Sequence, residues 1–123
     1  LQELGGKYLL LDFWSNGCGP CIKSIPELKE ISEQMKDRIE VVSISIDTEA
    51  IWKKASANHN ITWHNWNDLQ KENGIFAHFG VKAYPTYVLV SPDGKLIGKQ
   101  VGYSKGILFK FVKETIEKHK EQK

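Results

Sequence analysis

Apolar and polar positions change their period several times along the chain, and each change marks an element. Residues 8–14 (YLLLDFW) form an almost unbroken apolar run rich in aromatics and closed by Ser-Asn-Gly, the pattern of a buried strand entering a loop. From Pro20 the period lengthens: Ile22, Ile25, Leu28, Ile31 and Met35 recur at helical spacing, with Lys23, Lys29, Glu30, Glu33 and Lys36 opposite. Pro26 falls inside this amphipathic helix, where it removes one hydrogen bond and should kink the helix rather than end it. Residues 40–46 (EVVSISI) are rich in β-branched side chains and read as a second, central strand. Asp47-Thr48 then marks a helix entry. A helix follows over 50–58, a short extended piece over 61–66, and a weaker helix over 69–79, broken at Gly74. Residues 86–91 and 95–101 flank Pro92-Asp93-Gly94 and predict an antiparallel hairpin. Ser104 can cap a last helix whose Ile107, Leu108, Phe111, Val112 and Ile116 make one apolar stripe.

This order of strand, helix, strand, helical insertion, strand, strand, helix predicts an α/β fold. Early strands separated by helices pair in parallel, and the hairpin adds antiparallel edge strands, giving a mixed central sheet with helices on both faces. At 123 residues the chain fits a single domain over 1–123. With no initiator Met or basic-then-apolar leader, the expectation is a piece of a longer precursor. An apolar fraction of 41% and a charged fraction of 26% argue against disorder and fibrous classes. The net charge of +2 names no partner, and the lysines of 113–123 read as a solvated helix end, so nucleic acid is set aside. The apolar runs are too short to cross a bilayer, so no integral membrane segment is expected.

Two cysteines, Cys18 and Cys21, cannot be a disulfide framework for a chain of this length; redox chemistry or part of a metal site remains. A dithiol exchanges with a disulfide in two steps, needing one exposed thiolate to attack and a second thiol near enough to resolve the mixed disulfide. Two intervening residues at a helix start supply that nearness. Cys18 would lie where unpaired N–H groups and the positive end of the helix dipole converge, and Cys21 would be buried one turn in. Moving a thiol pKa from ~8.5 to ~7 takes about 2 kcal/mol, within reach of such a terminus. The competing readings are a structural pair and half of a zinc site. His59 and His64 have zinc-compatible spacing but follow far beyond Cys21, and they, His78 and His119 read as surface or packing residues.

Leu11-Asp12-Phe13-Trp14, Cys18-Gly19-Pro20-Cys21, Pro26, Tyr84-Pro85-Thr86 and Gly102 resemble thioredoxin in order and local spacing. The added residues between Asp47 and Pro85, an insertion over about 48–80, together with Ser91-Pro92-Asp93-Gly94-Lys95, resemble the TlpA/ResA branch of bacterial thioredoxin-like thiol-disulfide oxidoreductases. The resemblance implies a thioredoxin fold and a catalytic set of Cys18, Cys21 and Asp12, the last a buried acid that accepts the Cys21 proton. It implies that Pro85 is a cis-proline and that Trp14, Tyr84, Pro85 and Thr86 bind substrate, the Tyr84 backbone pairing with an extended segment. The Gly19-Pro20 dipeptide implies a low-potential reductase of protein disulfides, with an upstream thiol electron donor and no cofactor beyond the Cys18–Cys21 disulfide. A monomer in the bacterial periplasm or cell envelope, anchored through a preceding segment and serving redox homeostasis, is the corresponding expectation.

Three positions depart from the relatives. Gly17 replaces a tryptophan, Ser24 a glutamate, and Ser43 stands near a buried lysine that tunes the acid. Two other functions compete. A thiol peroxidase would need a threonine-containing cysteine motif, and no Thr-x-x-Cys precedes Cys18; an interaction module would retain the cysteines as a vestige. Trp52, Trp63 and Trp66 in the insertion are expected to form a small satellite core or a partner-binding face.

Overall fold

The computed structural model describes residues 6–68, 74 and 78–121. Its elements are β1 (Tyr8–Trp14), α1 (Gly19–Gln34), β2 (Ile39–Ser45), α2 (Glu49–Asn58), β3 (His64–Asn67), β4 (Thr86–Val90), β5 (Leu96–Val101) and α3 (Ile107–Glu121). The five strands form one mixed sheet in the order β3-β2-β1-β4-β5. β1 pairs in parallel with β2, and β2 with β3, whereas β4 runs antiparallel to both β1 and β5. This is the mixed α/β sheet that the resemblance implies.

β1 lies at the centre, which accounts for its unbroken apolar run: both faces are covered, so alternation disappears. One face carries Leu10, Val41, Tyr87 and Leu89, packed on Leu28 and Ile31 of α1 and on Leu108, Val112 and Ile116 of α3. The opposite face carries Leu9, Leu11, Phe13, Val42, Ile44, Val88 and Val90, joined by Ile46, Trp66, Phe79 and Val81. Burying each of these aliphatic side chains contributes on the order of 2 kcal/mol. The helix expected over 69–79 lies, apart from Gly74, His78 and Phe79, outside the described residues.

α1 passes through Pro26 and continues to Gln34, because its apolar stripe stays anchored beyond the proline through Leu28 and Ile31. Thr48 caps α2, its hydroxyl accepting from the Ile51 N–H at 3.4 Å. The extended piece in the insertion becomes β3, an edge strand.

Three expectations need correction. The hairpin supplies one edge strand, not two: β4 sits between β1 and β5. Pair order across a sheet depends on which neighbour buries more surface, and local pattern does not encode it. The start of α3 is capped by Glu27 of α1, not by Ser104. The Glu27 carboxylate accepts from the Gly106 and Phe109 N–H groups at 2.8 and 2.9 Å and from the Tyr103 hydroxyl at 2.8 Å. Ser104 contributes its backbone carbonyl to the Ile107 N–H. The three tryptophans make no satellite core; Trp63, Trp66 and Trp52 each join a different cluster of the main body.

Candidate active site

β1 ends at Trp14, and residues 15–18 carry the chain from the sheet to the start of α1. Cys18 is the N-cap, extended at φ −98° and ψ 107°, and its sulfur accepts from the Cys21 N–H at 3.2 Å. That sulfur therefore occupies the position where a helix offers unpaired N–H groups and positive dipole, the environment that stabilises a thiolate. Gly19 and Pro20 form the exposed first turn, and Pro20 loses nothing there because first-turn N–H groups have no intrahelical acceptor. Cys18 is half-buried and Cys21 is 1% exposed, so only the first sulfur is open to another molecule. The two form a disulfide with their Cα atoms 5.2 Å apart. Among the described residues no three metal-ligating side chains converge. His59 closes α2, and His64 pairs with Glu40 at 3.2 Å.

The loop before Cys18 is held by a residue that sequence reasoning passed over as a helix entry. Asp47 follows β2, and its carboxylate accepts from the Asn16 N–H at 2.8 Å and the Ser15 hydroxyl at 3.1 Å. Ser45 donates to the same carboxylate at 3.0 Å, and Asn67 donates to the carbonyls of Ser45 and Asp47 at 3.0 and 2.8 Å. The signal was the parallel register: Trp14 pairs with Ser45, so the residues just beyond each strand end must meet.

Asp12 lies on the α1 face of β1, between Leu10, which packs on α1, and Trp14, which packs on Cys21. It is 3% exposed. Burial pushes its carboxyl up to about 7 from an ordinary 3.8, against the opposing pull of the Ser43 hydroxyl. Ser43, its register partner on β2, donates to Oδ2 at 2.7 Å, while Oδ1 has no hydrogen-bond partner among the described residues. The Trp63 indole in turn donates to the Ser43 oxygen at 2.7 Å. Ser24 donates to the Cys21 carbonyl at 2.7 Å, tying the helix turn below the second cysteine.

The Tyr84–Pro85 bond is cis. Pro85 lies immediately before β4, at the end that pairs with the end of β1 through Phe13 and Thr86, and its carbonyl accepts from the Gly102 N–H at 2.9 Å. Tyr84 is exposed; burial and the nearby Asp47 carboxylate raise its phenol pKa. Two expected substrate contacts are corrected. Trp14 is 1% exposed, packed with Cys21 and Ala55, so it supports the site from beneath instead of lining its surface. Thr86 is equally buried, and its hydroxyl donates to the Ala83 carbonyl at 2.7 Å, shaping the turn that presents Tyr84. Both expectations rest on motif position, which does not tell whether a side chain points into the core or out of it.

A thioredoxin-like family model matches residues 5–96. The thiol-disulfide oxidoreductase ResA of Bacillus cereus (strain ZK / E33L) is 30% identical over 104 residues, covering 83% of this chain and 59% of ResA. The chain thus spans about six-tenths of the length of that curated relative. The thioredoxin domain of a thiol-disulfide oxidoreductase from Bacteroides vulgatus superposes with a TM-score of 0.78 at 28% identity, over 97% of this chain and 83% of that one. A thiol:disulfide interchange protein from Bacteroides sp. gives 0.74 at 30% identity, over 81% and 68%.

Proposed function

The chain belongs to the thioredoxin-like family, and from that membership we propose that it is a thiol-disulfide oxidoreductase that reduces protein disulfides. The observation that carries this reading is the asymmetry of the pair: Cys18 half-exposed at a helix N-cap, Cys21 enclosed one turn in. The Cys18 thiolate attacks one sulfur of a substrate disulfide, forming a mixed disulfide and releasing the other sulfur as a thiolate. The Asp12 carboxylate takes the Cys21 proton, directly or through water. The Cys21 thiolate then attacks the Cys18 sulfur, closing the Cys18–Cys21 disulfide and freeing the second substrate thiolate. Two electrons pass to the substrate, and an upstream thiol donor restores the dithiol.

Tyr84, with Pro85 behind it, supplies the wall for an extended substrate segment, and Gly17 leaves that surface wide. The Gly19-Pro20 pair supports the reducing direction. A bacterial location outside the cytoplasm, implied by the TlpA/ResA resemblance, completes the reading.

Insulin-disulfide reduction tests it. Turnover should vanish in Cys18→Ser, and Cys21→Ser should hold its client as a mixed disulfide with Cys18 that mass spectrometry can identify. A native protein without turnover would overturn the activity. A potential near the oxidising ~−120 mV end, instead of near the ~−270 mV of thioredoxin, would reverse the direction.

A further inference from the structure

The hydrogen-bond chain Trp63–Ser43–Asp12 has a direction that its chemistry fixes without any view of hydrogen atoms. An indole N–H can donate and cannot accept. The 2.7 Å contact from Trp63 therefore makes the Ser43 oxygen an acceptor, and toward an ionised Asp12, which can only accept, the single hydroxyl proton of Ser43 is the donor to Oδ2, also at 2.7 Å. An Asp12 proton placed on Oδ2 would face that incoming O–H, so protonation belongs on Oδ1, the oxygen without a partner among the described residues.

We propose that Trp63 and Ser43 are positioning residues for the exchange reaction, reserving Oδ1 of Asp12 as the atom that takes the Cys21 proton and stabilising the carboxylate through Oδ2. This rests on the reading of Asp12 as the proton acceptor. The step balances: Cys21 S–H and the Asp12 carboxylate become a Cys21 thiolate and an Asp12 acid. The thiolate bonds to the Cys18 sulfur as the Cys18–substrate bond breaks, and the acid returns its proton to solvent. A neutral donor pair thus stands where relatives place a lysine, and the insertion, which contributes Trp63, becomes part of the acid's environment.

The other titratable groups around Asp12 come from the remaining neighbours. From β4, Tyr87 is the register partner of Asp12, with a phenol held protonated by burial. From α1, Cys21 is the reacting thiol, and Glu27, with Tyr103 from the loop before α3, acts on Tyr87. On the solvent side, Trp63 shares an open cleft with Glu40 and His64, which pair at 3.2 Å.

The test combines a carboxyl-carbon NMR titration of Asp12 in the reduced protein with the pH profile of disulfide reduction. Ser43→Ala should raise the Asp12 midpoint by about one pH unit, since it deletes a hydrogen bond to the charged form. Turnover at pH 7 should then fall about fivefold and recover at higher pH. Trp63→Phe should raise the midpoint by about half a unit, because Ser43 loses the donor that polarises and orients it. Ser43→Thr, which keeps the hydroxyl, should restore the native midpoint. Folded Ser43→Ala and Trp63→Phe proteins with unmoved midpoints would overturn the assignment. Should Ser43→Ala not fold, Trp63→Phe and Ser43→Thr decide it. Asp12→Asn judges the underlying base separately: an acidic limb that survives in that variant would sink the base reading, whereas the carboxyl midpoints test the Trp63–Ser43 pair directly.

Discussion

The Asp47 carboxylate takes the backbone N–H of Asn16 at 2.8 Å, two residues before Cys18. Its other oxygen accepts from the Ser15 hydroxyl at 3.1 Å, and the Ser15 carbonyl accepts from the Cys18 N–H at 3.1 Å. The end of β2 therefore fixes the loop through which Cys18 reaches the helix start. Asp47→Ala releases both loop donors and the Ser45 hydroxyl, and we expect kcat/KM for disulfide reduction to drop several-fold with a stability loss of about 2 kcal/mol. Asp47→Asn keeps an acceptor oxygen and should fall between. Kinetics and urea unfolding of the two variants check this, and an Asp47→Ala enzyme with native kcat/KM would show that the loop needs no such anchor.

Glu27 gives a second expectation, about stability. Its carboxylate is 7% exposed and accepts three hydrogen bonds, two of them from N–H groups at the start of α3. Burial and the adjacent Glu27 carboxylate push the Tyr103 phenol up to about 12. Glu27→Ala strands two helix-end donors and should destabilise by about 3 kcal/mol, whereas Tyr103→Phe removes one neutral donor and should lose about 1 kcal/mol. The double variant should be less destabilised than the sum, because the pair shares one bond. Strict additivity in chemical unfolding would count against the shared network.

Gly98 on β5 faces α3 so closely that a Cβ there would lie 2.8 Å from Thr115 Cγ2 and 3.1 Å from a ring carbon of Phe111. Gly98→Ala should therefore destabilise by about 1–3 kcal/mol through overpacking. A paired Thr115→Ser change, which deletes the crowded methyl, should recover part of it. Thermal unfolding of the single and double variants gives the comparison, and a neutral Gly98→Ala would mean that α3 shifts freely on the sheet.

What was legible in the sequence follows from period and spacing. The buried run at 8–14 and the apolar stripes of α1 and α3 all record one-dimensional periodicity, and their elements appear within a few residues of expectation. Cys18, Cys21, Pro85 and Asp12 stand out because short motifs mark them, and the structure buries Cys21 and Asp12 and makes the Tyr84–Pro85 bond cis. The residues that escaped are those whose meaning depends on a neighbour far along the chain. Glu27 caps a helix about 80 residues later, Asp47 meets a loop 31 residues earlier, and Trp63 reaches Ser43 across 20. The acceptor at each of these places is chosen by the fold, and no local pattern announces it. Trp14 and Thr86 depart in the opposite sense: their motif positions are clear, but burial, which decides whether a side chain can touch a substrate, is set by tertiary packing, for Trp14 that of Cys21 on α1 and Ala55 on α2.

Asp12 carries a signature in stability as well as in rate. Its carboxyl lies near 7 in the folded protein against 3.8 ordinarily, because burial disfavours the charged form. A group whose pKa is raised by folding binds its proton more tightly in the native state. The stability this lends is complete below about pH 4 and is lost as the pH climbs through about 7. The native protein should accordingly weaken between these limits by up to about 4 kcal/mol. Asp12→Asn, which cannot ionise, should be nearly flat over the same range. Its absolute stability is set partly by the new amide N–H groups, which must find acceptors in a buried place, so the slope is the informative quantity and not the offset. Chemical unfolding of both oxidised proteins from pH 4 to 8 gives it directly. Diverging curves with loss of turnover, by about a hundredfold in the variant, are the result expected of a buried general base. Parallel curves would mean that folding does not raise the Asp12 pKa, leaving a carboxylate too weakly basic at neutral pH for the part of general base.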